Sequence, residues 1–182
     1  MKILALDSSG LVASVAVVEN DTLLAEYTVN YKKTHSQTLL PMLDEISNMT
    51  ELDLSTIDAI AVAGGPGSFT GLRIGSATAK GLGLALEKPL ISIPTTAAIA
   101  YNIWDTNKFV CPIMDARRNQ VYTGVYCYTD HRLDTVWEQD TMSIEALAEG
   151  LNCLDHEVIF LGDGVAVYRE KLEALLTIPF SF

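Results

Sequence analysis

The sequence predicts an α/β fold made of two similar halves. Three observations predict it. β-rich runs and helical patterns follow one another in the same order twice, an aspartate closes the first strand of each half (Asp7, Asp115), and a glycine follows a short buried strand in each (Gly64, Gly162). A chain of 182 residues, 49% of them hydrophobic, carries enough apolar material for one large domain or two small lobes.

In the first half, residues 2–7, 13–19 and 22–29 are β-rich and separated by Ser8-Ser-Gly10 and Asn20-Asp21, so a three-stranded meander is expected. Over 34–49, Leu39, Met42, Leu43 and Ile46 recur at helical spacing, with Pro41 expected to bend or restart the helix. Residues 59–63 read as a buried parallel strand, 70–86 as a second helix, 90–93 as a strand and 95–103 as a further helix. The second half repeats this order with strands at 109–114, 120–128 and 135–140, a helix at 144–151, a strand at 158–161 and a helix at 165–176. The lobes are placed at 1–104 and 105–182, the second ending before its last strand and helix.

Composition excludes several classes. The net charge of −11, from 12 basic and 23 acidic residues, repels phosphate backbones, so nucleic acid is expected to be gripped mainly by a partner; acidity also serves solubility. The longest uncharged stretch near the middle, 89–104, is shorter than a membrane span and is broken by Pro94 and polar residues. Asp7 arrives before a signal-peptide core could form, so a cytoplasmic location is expected. Cys111, Cys127 and Cys153 are odd in number without Cys-x-x-Cys spacing, which argues against a disulfide framework or a zinc site. His35, His131 and His156 lie far apart in sequence, so no metal site is expected, and His35 reads as structural.

The sharpest local signal is Gly64-Gly-Pro-Gly-Ser-Phe-Thr-Gly-Leu-Arg-Ile-Gly75, between a buried strand and a helix. Glycines and a helix start suit an anion, yet no Gly-Lys-Ser/Thr closes a Walker loop and the third glycine of the dinucleotide fingerprint is absent. Read by itself it is a tight strand-to-helix connection, with an anion site as the alternative. Beyond it, Gly71, Gly75, Ala79 and Gly83 fall every four residues. Each interior glycine costs about 1 kcal/mol relative to alanine, so close packing must offset it, either against the first helix of the same lobe or against a partner subunit. Asp7-Ser-Ser-Gly10 is either a turn-former or part of a phosphate or metal site.

The string Gly65-Pro-Gly-Ser-Phe-Thr-Gly-Leu-Arg-Ile-Gly75, with Asp7-Ser-Ser9, His35-Ser36, Leu39-Leu-Pro41, Lys88-Pro89 and Asp115-Ala-Arg117, closely resembles the bacterial TsaB family, in order across nearly the whole chain. The resemblance implies the actin-like ATPase fold of two ribonuclease H-like lobes, the second incomplete at its C-terminus. It also implies a non-catalytic scaffold in threonylcarbamoylation of the adenosine next to the tRNA anticodon. The partners it implies are a catalytic paralogue of the TsaD type and a small TsaE-type ATPase, with a homodimer when the chain is alone. Transfer RNA is then held only through the complex, no cofactor binds tightly, and ATP enters only with the assembly.

At the positions of the paralogue's metal-binding His-x-x-x-His this chain has Thr95 and Ile99, so no metal ligands and no catalytic residues are assigned. By the same resemblance the first two helices form the dimer contact, with Leu39, Met42, Leu43, Leu72, Gly75, Ala79, Leu82 and Gly83 as candidates. The competing enzyme reading is an ATPase or phosphotransferase using Asp7, Ser8, Ser9, Gly162, Asp163 and Gly164 around a nucleotide. A metallopeptidase reading needs the missing histidine pair.

Overall fold

The computed structural model describes residues 1–31 and 35–182, and the chain folds as two units, Met1–Thr95 and Thr96–Phe182. The side chain of His35, and with it the structural role read for it, lies outside the described residues. In the first unit, β1 (Lys2–Asp7), β2 (Ala13–Glu19) and β3 (Thr22–Val29) form the expected meander. Asn20 and Asp21 turn the β2–β3 hairpin at φ of 48° and 66°, the left-handed region these short polar residues tolerate. β4 (Ala59–Gly65) and β5 (Leu90–Pro94) add in parallel, giving the order β3-β2-β1-β4-β5.

A 3-10 turn at His35–Gln37 precedes α1 (Leu39–Thr50). Pro41 does not bend this helix. It sits in the first turn, where its missing N–H has no intrahelical acceptor to lose, and the first helical bond runs from Met42 N to Thr38 O at 2.9 Å. α2 (Phe69–Leu86) starts at the Ser68 cap and stops at Glu87 in the left-handed conformation. The β-strand alternation of Leu4 and Leu6, Val15 and Val17, and Ile60 sends these side chains to one face of the sheet. There they meet Leu39, Met42, Leu43 and Ile46 of α1 and Ala79 of α2 in one core. Full burial of each large aliphatic there stabilises by about 1.5–3 kcal/mol.

The second unit begins earlier than residue 105. In α3 (Thr95–Ala100), Ala100 packs with Val110 and Tyr126, and Thr96 Oγ1 bonds Tyr126 Oη at 2.7 Å and Gln139 Oε1 at 2.9 Å. These contacts form only on folding, so the boundary falls at Thr95 and Thr96. β6 (Phe109–Arg117), β7 (Gln120–Thr129) and β8 (Arg132–Ser143) form a second meander, followed by α4 (Ile144–Leu154), β9 (Val158–Leu161) and α5 (Gly164–Leu175).

The fifth strand, expected to be missing, is present as β10 (Phe180–Ser181), parallel to β9. Two residues carry no readable period, so only pairing reveals it. The order β10-β9-β6-β7-β8 repeats the first sheet, and no counterpart of α3 follows it among the described residues. The core of this unit gathers Ile113, Val121, Val125, Leu147, Leu151, Phe160 and Leu172. No helix among the described residues is long and apolar enough to cross a membrane.

Candidate functional site

The two glycine- and serine-rich motifs of the first unit meet. Ser8 Oγ donates to Gly71 O at 2.8 Å in a buried contact, and Ser68 N donates to Ser9 O at 2.7 Å. Ser68 Oγ accepts from Gly71 N at 3.3 Å, capping α2. A Cβ on Gly67 would lie 2.4 Å from Ser9 O, so only glycine lets the loop close on the β1–β2 turn. Asp7 Oδ1 accepts from Ser9 N at 2.7 Å, the geometry of a turn-former. The two motifs thus spend the donors of Ser8, Ser9, Ser68 and Gly71 on holding strand, turn and helix together.

The small-residue stripe, read as docking within the lobe or on a partner, faces the chain's own sheet. A Cβ on Gly75 would lie 2.5 Å from Ser8 Oγ, and one on Gly83 2.8 Å from Leu90 Cδ2. Ala79, Leu39, Met42 and Leu43 are buried in the core of their own unit, and Leu82 packs against it. Leu72 is half-buried beside Gly65. Helical spacing alone cannot say which stripe turns inward.

The outward face of α2 carries Phe69 (70% exposed) and Leu84 (84% exposed), with the Arg73 guanidinium 4.1 Å from the Phe69 ring centre. α1 adds Leu40 and Met49, both largely exposed. An open groove of about 660 Å³, lined by Val62, Phe69, Leu72, Arg73, Lys80 and Leu90 among others, runs between α2 and the strands β4 and β5. This is the apolar surface that sequence reasoning missed. Its signal is the recurrence of Phe69, Arg73, Ala77 and Leu84 opposite the small stripe.

In the second unit the β6–β7 hairpin is held by a polar network. Asp115 Oδ1 accepts from Arg117 N at 2.9 Å, repeating the Asp7 turn, and from Tyr168 Oη at 2.9 Å. Asp163 Oδ1 accepts from Asp115 N at 3.2 Å, which gives this aspartate a structural task within its own unit. Gly162 and Gly164 pack on Ile113 O, where an added Cβ would come within 2.4 and 2.9 Å. Asn119 Nδ2 donates to both Glu145 oxygens, and Lys171 bonds Asn119 Oδ1 and pairs with Glu145. The Asn119 bond, then backbone donation and Lys171, hold the Glu145 carboxyl below its usual range. Desolvation and the Asp115 carboxylate push the Tyr168 phenol up.

His131 and His156 have separate local partners. His131 Nδ1 lies 2.6 Å from Asp105 Oδ2 on the surface, and the His156 ring stacks on Phe109 with centres 4.1 Å apart. Cys111 is buried, which pushes its thiol up to about 12, while Cys153 is exposed. Among the described residues no three His, Cys, Asp or Glu side chains gather as a metal site. Thr95 is buried with its hydroxyl unpartnered, and Ile99 is half-buried.

Two sheets of matching strand order, each with parallel and antiparallel pairs and helices packed on it, define a two-lobed protein of the actin-like ATPase fold. The ethanolamine utilization protein EutJ from Carboxydothermus hydrogenoformans shares this fold, with a TM-score of 0.53 at 12% identity over 100% of this chain and 84% of that one. Residues 22–178 match the family described as TsaD: tRNA N6-adenosine threonylcarbamoyltransferase.

The chain is 35% identical over 176 residues to the tRNA threonylcarbamoyladenosine biosynthesis protein TsaB of Bacillus subtilis (strain 168), covering 97% of this chain and 77% of that one. It is 33% identical over 170 residues to TsaB of Escherichia coli (strain K12), covering 90% and 72%. YeaZ from Pseudomonas aeruginosa superimposes with a TM-score of 0.84 at 29% identity, over 100% of this chain and 83% of that chain. The chain belongs to the TsaB (YeaZ) family, within the wider TsaD group.

Proposed function

We propose that this chain is a non-catalytic, cytoplasmic subunit of threonylcarbamoyladenosine formation on tRNA, docking on a TsaD-type catalytic paralogue through the exposed face of α2 and the neighbouring surface of α1. The observation that carries the reading is the pair Thr95 and Ile99, which stand where the resemblance places the paralogue's metal histidines. Neither a buried hydroxyl nor a branched aliphatic side chain supplies an imidazole. The relatives' names, tRNA threonylcarbamoyladenosine biosynthesis protein TsaB, supply the pathway.

Phe69 and Leu84 supply the anchor chemistry, since large exposed apolar side chains on one helix face mark an interaction site. Because this chain matches the TsaD family over 22–178, a TsaD chain carries a related lobe, and the two can pair like helices about a pseudo-twofold axis. A homodimer uses the same face when the paralogue is absent, a TsaE-type ATPase joins the pair, and ATP binds only in that assembly.

The test is co-elution of the chain with its paralogue on size exclusion, together with modified-nucleoside yield on tRNA by the reconstituted set. Phe69→Asp with Leu84→Asp abolishes co-elution and lowers the yield while the melting temperature stays unchanged. Co-elution of the variant at wild-type strength refutes the surface, and threonylcarbamoyl transfer by this chain without the paralogue refutes the accessory role.

A further inference from the structure

Three hairpins of this fold turn through two residues at positive φ. Two of them use Asn20-Asp21 and Asp130-His131, whose first residues are short and polar and tolerate the left-handed region. The third, β6–β7, uses Arg118-Asn119 at φ of 52° and 65°, and Arg117 before them is also left-handed at 65°. No other segment among the described residues places three consecutive non-glycine residues there. Glycine or asparagine would relieve the backbone, so two adjacent arginines are kept where a cheaper residue is available.

The hairpin carrying them is anchored on several sides. Tyr168 Oη bonds both Asp115 Oδ1 and Gln120 O, Asp163 receives Asp115 N, and Asn119 is tied to Glu145 and Lys171. Asp115 and Asp163 accept from backbone amides of the strand and hairpin, and Lys171 offsets Glu145. Neither arginine is paired with a carboxylate in the ion pairs among the described residues, and both are exposed. Elsewhere Lys2, Lys108 and Lys171 are paired, and Arg73 and Arg169 lie over aromatic rings; Lys80, Lys88 and Arg132 also stand outside these ion pairs, but none of them is adjacent in sequence to another such cation. In a chain of net charge −11, this hairpin presents two adjacent free guanidiniums on an anchored support.

We infer that the Arg117-Arg118 hairpin binds backbone phosphates of the tRNA, an inference that rests on the proposed role in tRNA modification. Guanidinium forks match phosphate oxygens in paired hydrogen bonds. A nucleotide gains its affinity in a concavity that also covers base and sugar, whereas a polynucleotide sums one-sided phosphate contacts such as a hairpin tip offers. The contacts position the tRNA without reading its sequence.

The test is a fluorescence-anisotropy titration of unmodified tRNA into the chain mixed with its TsaD-type paralogue, at several salt concentrations. Arg117→Gly with Arg118→Gly lowers affinity roughly tenfold near 0.1 M salt and reduces the slope of log affinity against log salt by about 2. The same variant melts at a higher temperature than wild type, because glycine relaxes both left-handed positions, and a purely structural pair of arginines would not produce that combination. Unchanged affinity and slope overturn the inference. So does a loss confined to ATP binding in a parallel titration, which would make the ligand a nucleotide. Failure of the chain and paralogue to co-elute refutes the partner reading instead, and the comparison of wild type with variant is read either way.

Discussion

Replacing Gly75 by alanine separates a stripe that faces its own sheet from one that faces a partner. Helix propensity alone predicts a gain of about 1 kcal/mol. The new Cβ, however, would sit 2.5 Å from Ser8 Oγ, well inside ordinary contact, at a point where the chain is buried. Relieving the overlap costs about 1–3 kcal/mol. Pushing the hydroxyl away also breaks its 2.8 Å bond to Gly71 O, leaving a buried donor and acceptor unpaired for roughly another 1–3 kcal/mol.

The net expectation is a loss of about 3 kcal/mol. At an m-value of roughly 2 kcal/mol/M, that lowers the urea midpoint by about 1.5 M. Gly81, in the same helix, is exposed with nothing within 4 Å of an added Cβ, so Gly81→Ala raises the midpoint by about 0.5 M. Adding Ser8→Ala to Gly75→Ala removes the obstructing oxygen and recovers part of the loss, a coupling of about 1–2 kcal/mol in a double-mutant cycle. Circular dichroism during urea titration reads wild type, Gly75→Ala, Gly81→Ala, Ser8→Ala and the Ser8→Ala, Gly75→Ala double variant. A Gly75→Ala midpoint at or above wild type refutes the packing. So does lost partner association with an unchanged midpoint, which would place the stripe in an interface after all.

Two further expectations follow from ionisation. In the native protein at pH 8, Ellman's reagent modifies the exposed Cys153 quickly and leaves Cys111 untouched, because burial holds that thiol protonated up to about 12; fast modification of Cys111 without unfolding would contradict its environment. Glu145 has a folded pKa below its unfolded value, so its contribution is present above the ordinary carboxylate range and lost as pH falls through the folded value. The urea-midpoint difference between wild type and Glu145→Gln therefore shrinks from pH 7 to pH 3, and a difference independent of pH would show that the tie to Asn119 and Lys171 does not depend on the charge.

The sequence by itself determined the α/β class, the doubled element order and most element positions. Alternation in β1 and β2, helical spacing in α1 and short polar turns at Asn20-Asp21 are local properties of a chain that buries one side of each element. The Asp7 and Asp115 landmarks were legible for the same reason, since an aspartate bonding the amide two residues on is a local motif. Tertiary structure decided what no local pattern carries. The stripe Gly71, Gly75, Ala79, Gly83 and the face Phe69, Arg73, Leu84 have the same period on one helix, and only the position of Ser8, 67 residues earlier than Gly75 by number, shows which one has no room for a side chain. β10 exists only as a pairing with β9, and α3 joins the second unit through contacts further along the chain, with Val110, Tyr126 and Gln139. Arg117 entered only as part of the motif Asp115-Ala-Arg117, and its left-handed backbone beside Arg118 and the anchors of the hairpin are seen only in the fold. Periodicity records which residues share a face; contact across the fold decides what that face meets.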